Sequence, residues 1–108
     1  YLDGGSGNDE IAAGIGNDTV IGGDGNEWLE GEGGNDLLYG DGMLSNGTGN
    51  DTIFGGAGID TLIGGTGIDL LTGGSAKDVF VLGAGLGKDT VNDFVKGTDL
   101  IGLSGSLT

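Results

Sequence analysis

An acidic residue returns every ninth position along most of this chain, and that metre restricts the possible folds more than any other feature. Read in nines from Gly4, the sequence runs GGSGNDEIA, AGIGNDTVI, GGDGNEWLE and GEGGNDLLY. A fifth unit opens with Gly40-Asp41-Gly42, takes six extra residues at 43–48 and resumes as GNDTIF; GGAGIDTLI, GGTGIDLLT and GGSAKDVFV follow. The sixth-position acids are Asp9, Asp18, Glu27, Asp36, Asp51, Asp60, Asp69 and Asp78. Two residues after each stands an apolar side chain: Ile11, Val20, Leu29, Leu38, Ile53, Leu62, Leu71 and Phe80.

Glycine opens most of these units because it reaches φ > 0 cheaply, so a loop built from it can turn sharply and aim successive carbonyls to one side. The last three residues of a unit carry one central apolar side chain, which suits a very short strand with one inward position. A unit cannot bury that face alone, so units must stack. With each unit as half a coil, alternate units lie above one another at the sheet spacing of about 4.8 Å. Asp9, Glu27, Asp51 and Asp69 then line one edge, and Asp18, Asp36, Asp60 and Asp78 the other. The expected architecture is all-β: a right-handed parallel β-roll of about four coils over residues 1–81, with a short β cap over 82–108.

Carboxylates so stacked repel, and the bulk composition sharpens the problem. The 108 residues carry seventeen Asp and Glu against three lysines, a net charge of -14. Such a balance excludes nucleic acid as a partner and opposes compaction unless something neutralises it. There is no Cys and no His, so disulfides, thiolate metal sites and triads with a histidine base are excluded. A donor set of carboxylates and carbonyls points to a hard cation, and its flexibility favours Ca²⁺ over Mg²⁺. Adjacent same-edge pairs give three sites per edge, hence about six Ca²⁺ ions, whose charge nearly cancels that of the chain. No apolar run is long enough for a transmembrane segment.

Eight consecutive G-G-x-G-x-D-x-U-x units, U being apolar, resemble the calcium-binding nonapeptide repeat of RTX (repeats-in-toxin, hemolysin-type) proteins. The tail KDVFVLGAGLGKDTVNDFVKGTDLIGLSG is similar to the segment that follows the last repeat in many members. The resemblance implies that each ion lies between stacked loops, held by the eight sixth-position carboxylates. Carbonyls of Gly4, Ser6, Ala13, Ile15, Gly22, Gly23, Asp24, Gly25, Gly31, Gly33, Gly34, Gly40 and Gly42 would contribute to the shells. Those of Gly55, Gly56, Ala57, Gly58, Gly65, Gly67, Gly74 and Ala76 would do so further along. It also implies a non-catalytic module of a secreted or cell-surface bacterial protein, exported by a type I apparatus and folded by Ca²⁺ outside. This chain is then an excerpt of a longer one.

Several positions depart from the metre. Glu27 is one methylene longer than Asp, and the 43–48 insertion interrupts a loop that should pair with it, so the weakest or most distorted sites are expected there. Glu32 and Asp41 replace the second glycine, where positive φ would strain them. Trp28, among Asp24, Glu27, Glu30 and Glu32, could serve as a sugar-stacking platform. The competing function is accordingly a glycan-binding module like those attached to alginate epimerases; a surface aromatic covering a sheet is the plainer reading. Gly83–Thr90 fails the phosphate-loop pattern at Leu82 and Asp89, and an EF-hand from Asp24 fails at Leu29. Outward ninth positions Ile21, Tyr39, Ile63 and Val81 form an apolar row, expected to be covered by the tail, unless the tail caps the last coil, or by a neighbouring domain or another chain.

Overall fold

The computed structural model describes residues 1–42, 49–83, 88–95 and 98–104; the insertion at 43–48 lies outside them. Eleven strands and no helix make up these residues. They are β1 (Leu2–Ser6), β2 (Glu10–Ala12), β3 (Thr19–Asp24), β4 (Trp28–Gly33), β5 (Leu37–Tyr39), β6 (Thr52–Ala57), β7 (Thr61–Ile63), β8 (Leu70–Ser75), β9 (Val79–Gly83), β10 (Thr90–Val91) and β11 (Leu100–Ser104). Successive strands alternate between two parallel sheets, in the orders β1-β3-β5-β7-β9-β11 and β10-β8-β6-β4-β2. Half a coil per unit follows directly: Ile11 pairs with Leu29, Leu29 with Ile53 and Ile53 with Leu71 in one sheet. Val20, Leu38, Leu62 and Phe80 stack in the other. The six-residue insertion is absorbed without loss of register, because β4 still pairs with β6 and β5 with β7.

Between the sheets lie the eighth-position side chains. Val20, Leu29, Leu38, Ile53, Leu62, Leu71 and Phe80 form a single core column, and Ile11, Ala13, Leu82 and Val91 pack against it. Several strands are longer than a three-residue run. β3, β4, β6 and β8 each have six residues and continue through the opening glycines of the next unit. Backbones without side chains can stay in ladder contact while they begin to turn, as Gly5 does beneath Gly23 and Gly56 beneath Gly74.

Two expectations about the tail and the strained positions need correction. The roll has about five turns rather than four, since β10 pairs with β8 and β11 with β9 in the same parallel sense as the repeats. Of the two roles open to the tail, it takes that of a cap on the last coil, extending both sheets at their edge; in the outer row Ile21 is buried and Tyr39, Ile63 and Val81 are half-buried. Among the described non-glycine residues, positive φ occurs at Glu32 (75°) and Ala76 (80°) and not at Asp41. Asp41 keeps its N–H on the Gly64 carbonyl at 3.3 Å without entering the left-handed region that Glu32 occupies.

Candidate metal-binding edges

Each loop that joins one sheet to the other ends on its sixth-position acid, so the two edges of the roll carry the two rows of carboxylates. Asp51, Asp60, Asp69 and Asp78 are at most 1% exposed, although each is an ionisable group in a chain with little apolar mass. Backbone donors hold one oxygen of each carboxylate. The N–H of Asp18 donates to Asp36 Oδ1, that of Glu27 to Asp51, that of Asp36 to Asp60, that of Asp51 to Asp69 and that of Asp60 to Asp78, at 2.8–3.0 Å. The second oxygen is left over. Oδ2 of Asp9, Asp18, Asp36, Asp51, Asp60, Asp69 and Asp78 is buried with no hydrogen-bond partner, as are both carboxylate oxygens of Glu27.

These orphaned oxygens share one kind of surroundings. A methyl group built on Gly55 would meet Asp60 Oδ2 at 2.5 Å and the Gly73 carbonyl at 2.6 Å. One built on Gly4 would meet the Gly22 carbonyl at 2.7 Å and Asp9 Oδ2 at 2.8 Å. The same construction at Gly31 meets Asp36 Oδ2 and the Gly55 carbonyl, and at Gly40 it meets Asp51 Oδ2 and the Gly64 carbonyl. First-position glycines are thus required because carboxylate and carbonyl oxygens converge where a side chain would stand. Of the carbonyls expected from the sequence, Gly22, Gly40 and Gly55 are placed in these cradles. Gly64 and Gly73 join them without having been singled out. Third-position carbonyls of Asp24, Gly33 and Ala57 instead accept from the N–H groups of Gly7, Gly16 and Gly34, which leaves each one lone pair. Ser6, Ala13, Ile15, Gly23, Gly25, Gly31, Gly34, Gly42, Gly56, Gly58, Gly65, Gly67, Gly74 and Ala76 lie in the same loops.

Burial raises the affinity of these acids for protons. It is the main cause that pushes Asp51 and Asp69 up to about 7 and Asp60 up to about 6. The backbone donor opposes the rise in each case, and the neighbouring carboxylates of the stack add to it. Asp36, Asp78 and Glu27 move the same way for the same first reason. No three acidic side chains among the described residues converge to hold a metal by themselves, so any cation here must draw on backbone oxygens as well. Seven or more buried, unpaired anionic oxygens beside carbonyls, in a chain with no imidazole or thiolate ligand, fit a hard divalent ion and nothing softer.

Three features escaped the sequence reading. The fifth-position asparagines form a second ladder: Asn8, Asn17, Asn26, Asn35 and Asn50 each accept, through Oδ1, the N–H of the fifth residue one coil on, at 2.8–2.9 Å. Asn at that place in five consecutive units was the available signal. Asp89 and Asp99 continue the acidic ladder, accepting from the N–H groups of Asp69 and Asp78 at 3.0 Å. Their fragments Lys88-Asp89-Thr90-Val91 and Thr98-Asp99-Leu100-Ile101 keep the acid and the apolar residue two positions later, off the nine-residue beat. Asp41, almost fully buried, is clamped by the N–H and hydroxyl of Thr66 on Oδ2 at 2.6 and 2.8 Å.

Trp28 lies on an outer face with its ring 5.1 Å from that of Phe54, and its indole N–H donates to Glu30 Oε1 at 2.7 Å. Its polar handle and part of its ring are therefore already engaged, as in an aromatic that covers a sheet.

The RTX calcium-binding nonapeptide repeat matches this chain in four copies, over residues 1–20, 21–42, 47–58 and 54–91. The chain belongs to that family, and it is a calcium-binding repeat module with the β-roll architecture. No curated protein and no solved structure gives a match. No helix among the described residues is long and apolar enough to cross a membrane.

Proposed function

We propose that this roll is a calcium-dependent folding module of an exported bacterial protein, with no catalytic role of its own. The observation that carries the reading is the row of buried carboxylate oxygens without partners. Burying an unpaired charge costs several kcal/mol, and here the cost recurs at every half-coil. Asp9, Glu27, Asp51 and Asp69 on one edge, and Asp18, Asp36, Asp60 and Asp78 on the other, would hold about six ions between successive levels. Carbonyls of the glycine-rich loops would complete each shell. Bound Ca²⁺ supplies the positive charge and accepts six to eight oxygens.

The chain's own part is to keep those oxygens apart from water and in register. Backbone N–H groups fix Oδ1 and so aim Oδ2, the asparagine ladder holds the outer rim of the loops, and the core column sets the spacing. Without the ion the same groups oppose folding, so binding energy becomes folding energy. Residues 1–81 would form the calcium-binding part and 82–108 the segment that closes it. In that segment both oxygens of Asp93 accept from Gly73 and Gly74, and both of Asp99 from Asp78 and Val95. Family membership and the acidic charge support export through a type I apparatus into a calcium-rich exterior. The test is equilibrium dialysis against Ca²⁺ with excess Mg²⁺ present. About six ions should bind per chain, and the absence of saturable binding would sink the proposal.

A further inference from the structure

Glu27 breaks the rule that every other described ladder acid above the first coil follows. At Asp36, Asp51, Asp60, Asp69, Asp78, Asp89 and Asp99 one carboxylate oxygen accepts the N–H of the level below. The added methylene carries the Glu27 carboxylate past Asp9 N–H, and neither Oε1 nor Oε2 has a hydrogen-bond partner. The residue is nonetheless only 3% exposed. Its head lies between levels: a methyl group on Gly25 would meet Glu27 Oε1 at 2.6 Å and would also strike the Gly7 carbonyl, while the carboxylate comes within reach of that of Asp51 one coil on. Asp9 Oδ2, equally unpartnered, faces the Gly22 carbonyl on the same edge. This level thus offers two free oxygens from one side chain where the aspartate levels offer one.

We infer that Glu27 presents both carboxylate oxygens to a single ion and makes the level at Glu27 the most selective in the stack for Ca²⁺ over Mg²⁺. The inference rests on the reading of the edges as calcium sites. Its chemical basis is size. A carboxylate that gives both oxygens to one ion spans a narrow angle, which Ca²⁺ tolerates at 2.3–2.6 Å with seven or eight ligands, whereas Mg²⁺ requires a near-ideal octahedron at about 2.0–2.1 Å. Levels built on aspartate, with Oδ1 committed to a backbone donor, also favour the larger ion through their carbonyl-rich shells, but by a smaller margin. Substitution of Asp by Glu is therefore a change of donor count, and the level expected to be weakest becomes the one that chooses the ion.

Isotope-edited infrared spectroscopy of the intact chain tests this without a mutation. With carboxyl-¹³C glutamate incorporated, only Glu10, Glu27, Glu30 and Glu32 report. Ca²⁺ should narrow the splitting between antisymmetric and symmetric stretches for one glutamate, and Mg²⁺ should not; Glu27→Asp should abolish that band and Glu10→Asp should leave it. In parallel, Tb³⁺ emission sensitised by the single tryptophan, Trp28, reads the neighbouring level. Glu27→Asp should add about one bound water to the Tb³⁺ lifetime count and reduce Ca²⁺ over Mg²⁺ preference in competition about tenfold. Calcium-driven folding with silent glutamate bands would overturn the Glu27 assignment and leave the calcium reading intact. Failure of both Ca²⁺ and Tb³⁺ to bind would overturn both. Should Glu27→Asp fail to fold, the labelled wild-type spectrum decides alone.

Discussion

Replacing Asp60 with Asn should change stability in opposite directions with and without calcium. Asp60 is fully buried, its Oδ1 accepts from the Asp36 N–H at 2.8 Å, and its Oδ2 is orphaned. Asparagine can keep the first contact and place an uncharged donor beside the Gly73 carbonyl, where the second oxygen stood. In chelator, the rise of Asp60 from 3.8 to about 6 means that carrying its charge at neutral pH costs up to about 3 kcal/mol. Asp60→Asn removes that cost. In calcium the same change deletes an anionic ligand from a level shared with Asp78, and a tenfold loss there is about 1.4 kcal/mol. Far-UV circular dichroism should therefore show more β signal for Asp60→Asn in chelator and a higher calcium midpoint. Asp60→Ala, which also loses the Asp36 contact, should be less stable than Asp60→Asn in both states. Equal destabilisation by Asp60→Asn in both conditions, or an unmoved calcium midpoint, would refute the assignment of Oδ2 to the ion.

Other outcomes follow from neighbouring features. In chelator, Asp51, Asp60 and Asp69 have folded-state values above their ordinary one of 3.8. Their contribution is thus fully present below about pH 4 and lost as pH rises through 6 to 7, so β signal without calcium should increase on acidification; the reverse slope would contradict the burial argument. Leu62→Ala empties part of the core column and should cost about 2–5 kcal/mol in urea denaturation with calcium present. Gly56→Ala places a methyl group against the Glu32 carbonyl at φ 107°, and its melting temperature should fall by more than that of an exposed strand-end substitution such as Ser75→Ala. Glu32→Gly relieves a left-handed backbone and should raise the melting temperature slightly, by about 1 kcal/mol of stability.

The repeat was legible because two independent requirements, a ligand and a core residue, recur at fixed offsets in every unit. Asp9 to Asp78 and Ile11 to Phe80 mark both edges and the core, and the register across the 43–48 insertion followed from restarting the count at Gly49. What escaped detection lacked such a metre. Asp89 comes eleven residues after Asp78 and Asp99 ten after that, so the nine-residue beat loses them although their ladder bonds are the same. The asparagine ladder was in view but uninterpreted, because its bond runs between coils and no single unit displays it. Glu27 read as the place of the weakest or most distorted sites; only its two unpartnered oxygens reveal that one methylene moves the head off the backbone donor. At Asp41 the pattern suggested strain, yet its backbone stays out of the left-handed region and Thr66 takes its side chain.

The most direct test of the account is a calcium titration of the isolated chain followed by far-UV circular dichroism, with an equal concentration series of magnesium as control. A chain disordered in chelator should gain its β signal cooperatively with calcium and stay disordered with magnesium. A spectrum already β-structured in chelator at neutral pH, and unchanged by either ion, would contradict the claim that buried carboxylates hold the roll unfolded until calcium pairs with them.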